Sequence, residues 1–175
     1  DGLAPLGTVE FPHSLGLVYS AFTAFLGFRV NNGEYKVMGM AAYGTPRFAD
    51  RVRQILRLHD DGTFSVDLTA VRYHWSAAES FGPAFEAAFG PPRFPGNDFD
   101  PSTPEGQHYA DVAASIQQVT EEALLGLARR LHDETGLPDL CLAGGVALNS
   151  VANARLCREG PFQRVFVQPA AGDAG

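Results

Sequence analysis

Cysteine is scarce in this chain of 175 residues, which contains only Cys141 and Cys157. The pair fits no zinc-ligand spacing and suggests no disulfide framework. We therefore expect two reduced, partly buried thiols, as is usual for a cytoplasmic protein.

Basic residues and long apolar runs are also lacking. Thirteen Lys and Arg residues face 20 Asp and Glu residues, for a net charge of −7. This balance argues against a surface for nucleic acid or for an anionic membrane. Without a long apolar run, nothing in the sequence points to a membrane. We predict a cytoplasmic protein whose partners include neither.

The length and composition are those of one soluble globular domain with a sizeable core. Apolar residues make up 45% of the chain and charged residues 19%. The chain begins with Asp1 and stops at Gly175, inside a glycine-rich turn. We therefore expect it to be a piece of a longer protein, with an incomplete site.

Residues 139–175 have the pattern of two strands, a helix between them and a glycine turn after each strand. Apolar runs over 140–143 and 164–168 indicate buried strands, and helical spacing covers 149–157. Two strands joined through a helix predict a parallel βαβ unit. Ligands of open α/β sheets bind beyond the carboxyl ends of strands, which is where both glycine turns lie.

The two glycine turns carry chemically useful groups. Gly144 and Gly145 lack Cβ atoms, which lets a ligand approach the backbone, and the N–H groups of the following helix favour an anion. Asn149 either caps this helix or hydrogen-bonds a ligand. Asp173 either binds a hard cation or a ligand hydroxyl, or simply favours the turn. The spacing alone leaves these alternatives open.

Helical periodicity predicts five further helices, over residues 15–26, 34–43, 46–58, 83–89 and 104–135. Ser14 is placed to cap the first of them. In the longest helix, Gln117 falls on the polar side. Alternation over 63–68 predicts a strand, so that the helix over 46–58 and this strand form a helical and hairpin insertion.

Charged side chains lie beside the turn at residues 31–33. Glu34 is able to take both hydroxyls of a ribose, and Lys36 is able to neutralise a phosphate. The spacing alone favours the other interpretation, in which both belong to a solvated helix start. His13, just before the first helix, is suited to local hydrogen bonding or to binding a ligand.

Four segments together resemble one family over nearly the whole chain. They are FPHSLGLVYSAFTAFLGF (11–28), GEYKVMGMAAYG (33–44), LAGGVALNSVANARL (142–156) and VFVQPAAGDAG (165–175). In this order they resemble the O-carbamoyltransferases of nodulation-factor and antibiotic biosynthesis. The resemblance implies an α/β fold, part of an actin/hexokinase-like ATPase fold (ribonuclease-H-like). Residues 1–175 would form one domain, the second half of the actin-like domain, without its upstream half or the C-terminal adenylate-forming domain.

The resemblance also implies a reaction. In that family, carbamoyl-adenylate is made from ATP and carbamoyl phosphate, and its carbamoyl group passes to a hydroxyl of a small acceptor such as a sugar or an antibiotic. Iron(II) holds the adenylate. The expected partners are this acceptor and the remaining parts of the same polypeptide, an oligomer is compatible with the sequence, and we expect the chain to be inactive alone. The alternatives are a non-catalytic nucleotide-binding domain, a threonylcarbamoyl transferase and a sugar kinase.

Matched to the family motifs, Asp173 corresponds to a metal-binding aspartate. The nucleotide-binding positions correspond to Glu34, Lys36, Gly144, Gly145 and Asn149. The family's two histidine ligands come from an HxxxH motif, which is absent among His13, His59, His74, His108 and His132. One carboxylate cannot complete a three-ligand site. We therefore expect only part of an iron site here, and we assign no general base.

Overall fold

The computed structural model describes residues 4–76 and 78–172. In this part of the chain, helices surround two small sheets. The helices are α1 (Leu15–Phe25), α2 (Glu34–Ala41), α3 (Ala49–Ile55), α4 (Pro83–Phe89), α5 (Pro104–Thr135) and α6 (Ser150–Glu159), with a 3₁₀ helix at Gly145–Leu148. The strands are β1 (Leu56–Leu58), β2 (Phe64–Val66), β3 (Asp139–Leu142) and β4 (Arg164–Val167).

The long helix α5 is the element against which most of the others pack. Thr103 caps its start, where Oγ1 accepts the N–H of Gly106 at 3.0 Å, and Gly136 ends it in the left-handed region with φ 65°. Its first half packs against α1, α2 and α3, and its second half against α6 and the β3–β4 sheet. The helix predicted over 104–135 is confirmed.

Aromatic side chains of α1 and α4 fill the larger core. Phe22 and Phe25 of α1 meet Phe85 and Phe89 of α4, with ring centroids 4.5 Å apart for Phe22 and Phe85. All four are buried, and each such side chain contributes roughly 1.5–3 kcal/mol of transfer free energy. This cluster fixes the position of α1, whose opposite end faces the candidate site.

The parallel unit predicted near the end of the chain is present. β3 and β4 pair in parallel, with Leu140 beside Val165, and one face of the sheet packs on Leu125 and Leu156. The helix between the strands begins only at Ser150, because the 3₁₀ helix follows the first glycine turn.

The helix predicted over 46–58 is confirmed over Ala49–Ile55 and wrong at both ends. Helix α3 ends at Ile55, and Leu56–Leu58 form a strand that pairs antiparallel with Phe64–Val66. The leucines of this segment would point inward in a helix and in a strand alike, so their spacing does not distinguish the two. Pairing with β2 makes the segment a strand. The predicted hairpin is confirmed, with Gly62 at φ 81° in its turn.

The described residues therefore form a mixed α/β structure with two two-stranded sheets. This agrees with the α/β class, whereas the actin-like ATPase fold stays a prediction. In the described part of the chain no helix is long and apolar enough to cross a membrane. Cytoplasmic location also stays a prediction.

The cysteines differ from expectation in one respect. Cys141 and Cys157 are free thiols, as predicted, but both are exposed. Cys141 alternates with the buried Leu140 along β3 and so faces away from α5, because neighbouring side chains of a strand point to opposite faces. The expectation of partly buried thiols is therefore wrong.

A pair of glycines tests the packing of α2 on α5. A Cβ at Gly44 would lie 2.0 Å from the Ala110 carbonyl oxygen, whereas a Cβ at the exposed, helical Gly39 would meet no atom within 4 Å. We expect Gly44→Ala to lower the free energy of unfolding by about 1–3 kcal/mol. Gly39→Ala should raise it by up to about 1 kcal/mol, since alanine favours helices. Urea unfolding of both variants measures the difference, and equal effects would contradict the close packing.

Candidate functional site

A cleft of 710 Å³ opens between the start of α1, the start of α2, the middle of α5 and the 3₁₀ helix. Its volume is within the range of small-molecule sites, about 300–1,000 Å³. It brings together Glu34, Gly145 and Asn149, which were predicted from separate parts of the sequence. Of the described residues that line it, Glu34 is the charged one.

Three donors hold the Glu34 carboxylate in place. Oε1 accepts the Ser20 hydroxyl at 3.0 Å and the Asn31 N–H at 2.9 Å, and Oε2 accepts the Gly33 N–H at 3.1 Å. A carboxylate has about four lone-pair sites, so capacity remains for a ligand hydroxyl. Glu34 thus stabilises the turn before α2 and presents an oriented acceptor at the cleft.

Lys36 lies away from this cleft. Its ammonium is 5.8 Å from the Phe28 ring centroid and 5.9 Å from that of Tyr35, and the side chain is exposed. Residues two apart on a helix do not share a face, and Lys36 is not among the described residues that line the cleft. A role for Lys36 at a phosphate stays a prediction.

Asn149 is the N-cap of α6 and is almost completely buried. Its Oδ1 accepts the N–H of Ala152 at 3.0 Å. Its amide also pairs with that of Gln117, through Nδ2 to Oε1 at 3.0 Å and Nε2 to Oδ1 at 3.1 Å. The capping interpretation is confirmed. An amide has two N–H donors, so one remains for a ligand.

Gln117 is the residue of this site that the sequence analysis missed. It is only 5% exposed, although helical periodicity put it on the polar side of α5. Its Oε1 also accepts the Tyr19 hydroxyl at 2.9 Å, and its Nε2 also donates to Glu121 at 2.8 Å. Gln117 therefore links α1, α5 and α6 through one buried amide. No spacing in the sequence signals a partner 32 residues away.

Tyr19 acts as a neutral hydrogen-bond donor in this network. Burial raises the pKa of its phenol well above the ordinary value, and the nearby carboxylates of Glu34 and Glu121 raise it further. The hydroxyl therefore keeps its proton at neutral pH. Tyr19 positions Gln117 and is unsuited to act as a base.

The first glycine turn has the backbone that only glycine adopts readily. Gly144 has φ +94°, yet nothing lies within 4 Å of where its Cβ would be, so conformation and not crowding selects glycine. Gly145 follows and lines the cleft, as does Gly172 of the second turn. Asp173, the predicted metal ligand, lies outside the described residues.

The described residues do not form an iron site by themselves. Among them no group of three His, Cys, Asp or Glu side chains is placed to hold a metal ion. His13 accepts the Val66 N–H through Nδ1 at 3.0 Å, which confirms a hydrogen-bonding role. Nε2 of His108 lies 2.7 Å from the Phe89 carbonyl oxygen, within hydrogen-bond distance.

Comparison with known proteins shows what this chain is similar to. Residues 3–175 match the family described as Carbamoyltransferase N-terminus. The chain is 49% identical over 174 residues to the uncharacterized protein sll1178 of Synechocystis. The aligned region covers 99% of this chain and 27% of that protein. It is 36% identical over 172 residues to nodulation protein NolNO of Sinorhizobium fredii, and the aligned region covers 98% of this chain and 23% of that protein. It is 38% identical over 170 residues to nodulation protein NolO of Bradyrhizobium diazoefficiens, and the aligned region covers 95% of this chain and 28% of that protein. The chain thus spans about a quarter of the length of these relatives.

Removal of the Asn149 side chain should destabilise the wall of the cleft. We expect Asn149→Ala to lower the free energy of unfolding by about 2 kcal/mol, because the α6 cap and the buried pairing with Gln117 are both lost. The neighbouring Ser150→Ala, at an exposed position, should change it by no more than about 0.5 kcal/mol. Chemical denaturation compares the two, and an equally small loss in both would exclude a structural role for the amide pair.

Proposed function

Because the chain belongs to the carbamoyltransferase family, we propose that the protein transfers a carbamoyl group from carbamoyl-adenylate to a hydroxyl of a small acceptor such as a sugar or an antibiotic. Carbamoyl-adenylate would be formed from ATP and carbamoyl phosphate. Family membership over residues 3–175 supports carbamoyl transfer in general. The donor and the acceptor are part of the proposal.

The cleft is the single observation that carries this proposal to particular residues. Glu34 and Asn149 are more than a hundred positions apart in sequence, yet both line one cavity of a size suited to a nucleotide. Both belong to segments that resemble the carbamoyltransferases. Their convergence supports a nucleotide-binding cleft better than either segment does alone.

Each side of the cleft has a distinct task in the proposal. Glu34, fixed by its three donors, accepts the ribose hydroxyls. The backbone at Gly144 and Gly145 lets the nucleotide approach closely, and Asn149 offers its remaining N–H. Lys36, in the same motif as Glu34, is the remaining proposed nucleotide contact and requires a change from the side-chain position described above.

The proposed chemistry is an acyl transfer that depends chiefly on positioning. The oxygen of the acceptor hydroxyl bonds to the carbamoyl carbon, the bond from this carbon to the phosphate oxygen breaks, and AMP leaves. The hydroxyl proton is released to a base that we do not assign. Since the mixed anhydride already contains a good leaving group, holding the two reactants in line supplies much of the rate.

Iron(II) enters the proposal only through Asp173. We propose Asp173 as one ligand, with further ligands from outside the described residues, because the described residues bring no three suitable donors together. No step of the transfer is assigned to the metal.

A carbamoylation assay tests the proposed function. The intact protein is given ATP, carbamoyl phosphate, iron(II) and a panel of hydroxylated sugars and antibiotics, and products are analysed by mass spectrometry. We expect one acceptor to gain one carbamoyl group only when ATP and carbamoyl phosphate are both present. If the folded protein forms neither carbamoyl-adenylate nor a carbamoylated product, the proposal is refuted. That result would favour a non-catalytic nucleotide-binding domain.

The role of Glu34 is tested by its preference for ribose over deoxyribose. In the wild-type protein we expect adenosine to bind about ten- to a hundredfold more tightly than 2′-deoxyadenosine, since a lost hydrogen bond to a charged group is worth about 1.5–3 kcal/mol. Glu34→Gln should remove most of this preference. Lys36→Met, which changes the other charged residue of the motif, should preserve it. Calorimetric titration of the three proteins with both nucleosides measures all six affinities, and a preference that survives Glu34→Gln would contradict the assignment.

A further inference from the structure

We propose that the first turn of α1, together with the Thr120 hydroxyl, binds the phosphate of the nucleotide in this cleft. This inference rests on the proposed function for the identity of the ligand. It adds a phosphate subsite on α1 and α5, two helices to which the proposed function assigns no contact with the nucleotide.

The start of α1 offers backbone donors to the cleft. The Ser14 side chain accepts the N–H of Leu17 at 3.3 Å, and its carbonyl oxygen accepts the N–H of Val18 at 3.1 Å. The amides of Leu15 and Gly16, at the first two helical positions, have no acceptor within the helix. Residues 14–17 line the cleft, and the first turn has no acidic side chain that would neutralise its positive dipole end.

Thr120 provides a second and independent observation. Its residue is 1% exposed, and its hydroxyl has no hydrogen-bond partner in the part of the chain that the structure describes. Thr120 lies one turn beyond Gln117 on α5 and lines the same cleft. A buried hydroxyl without a partner is costly, and buried polar groups in native proteins nearly always have one. A phosphate oxygen in the cleft would accept its proton.

The charges of the cleft explain why such neutral donors would be needed. No Lys, Arg or His side chain is among the described residues that line it. Among the described residues, an anion there would be met by neutral donors such as backbone N–H groups and hydroxyls, and helix N-termini bind phosphate through such N–H groups. Glu34 would repel a phosphate close to it, so the phosphate belongs at the opposite end of the ligand from the ribose hydroxyls.

The spacing along α1 agrees with this arrangement. Ser20, whose hydroxyl contacts Glu34 at 3.0 Å, lies four residues after Gly16 and on the same face of the helix. One turn of helix, about 5.4 Å, therefore separates the ribose end from the phosphate end. This is the scale of a ribose ring.

The test compares AMP with adenosine, which differ only in the phosphate. We expect AMP to bind the intact protein about tenfold more tightly than adenosine. Thr120→Val, which replaces the hydroxyl by a methyl group, should weaken AMP binding by several-fold and leave adenosine binding unchanged. Thr120→Ser, which keeps the hydroxyl, should retain AMP affinity. In ¹⁵N-labelled protein, the Gly16 amide resonance should shift with AMP and not with adenosine.

The possible results separate this inference from the proposed function. If AMP binds no more tightly than adenosine, or if Thr120→Val weakens both equally, the phosphate subsite is refuted and the nucleoside site stands. If the protein binds neither compound and forms no carbamoylated product, the proposed function fails. Titration with inorganic phosphate then decides the subsite: a Gly16 shift that is lost in Thr120→Val supports it, and the absence of any shift refutes it.

Discussion

The geometry of the cleft depends on one buried amide, that of Gln117. It accepts from Tyr19 on α1, donates to Glu121 on its own helix and pairs with Asn149 at the start of α6. A buried amide stabilises a structure only when its donors and acceptors are matched, and here each has a partner. Because these partners come from three helices, the same hydrogen bonds that satisfy Gln117 also fix the positions of the walls around the ligand space.

Close backbone contacts around α5 provide the frame for this arrangement. Gly44 lies against the backbone of α5 at Ala110, and Gly62 of the hairpin turn lies against α5 at Gly126. Side chains at these two positions would push α2 or the hairpin outward, and a displaced α2 would carry Glu34 with it. Gly44 and Gly62 therefore affect the shape of the cleft indirectly. They set how closely α2 and the hairpin pack on α5, and no contact with a ligand is involved.

The sequence was informative where local rules decide the outcome and silent where distant contacts do. The long helix α5, the parallel β3–β4 pair and the glycine turn followed from periodicity and turn chemistry. Strand β1 did not, because only pairing with β2 converts the leucines of a helical pattern into a strand. Gln117 was also out of reach, since its polarity predicts exposure and only the approach of Tyr19 and Asn149 makes burial favourable. Asn149 itself proved to be a cap, which local spacing had left undecided.

The scarcity of side-chain cations in the cleft bears on how it would handle a nucleotide. Backbone amides are held by the helix itself and lose no side-chain entropy on binding, so they form a preorganised set of dipoles. A cation fixed in the lining of the cleft would hold the AMP product as firmly as the carbamoyl-adenylate substrate, whereas Lys36 lies outside that lining in the described structure. In the proposed transfer, which would leave AMP in the cleft after each cycle, neutral donors at the phosphate and a single carboxylate at the ribose would give orientation with limited affinity. One carboxylate and no side-chain cation line the cleft in the described part of the chain. This charge pattern suits both steps of the proposed cycle, the binding of the nucleotide and its release.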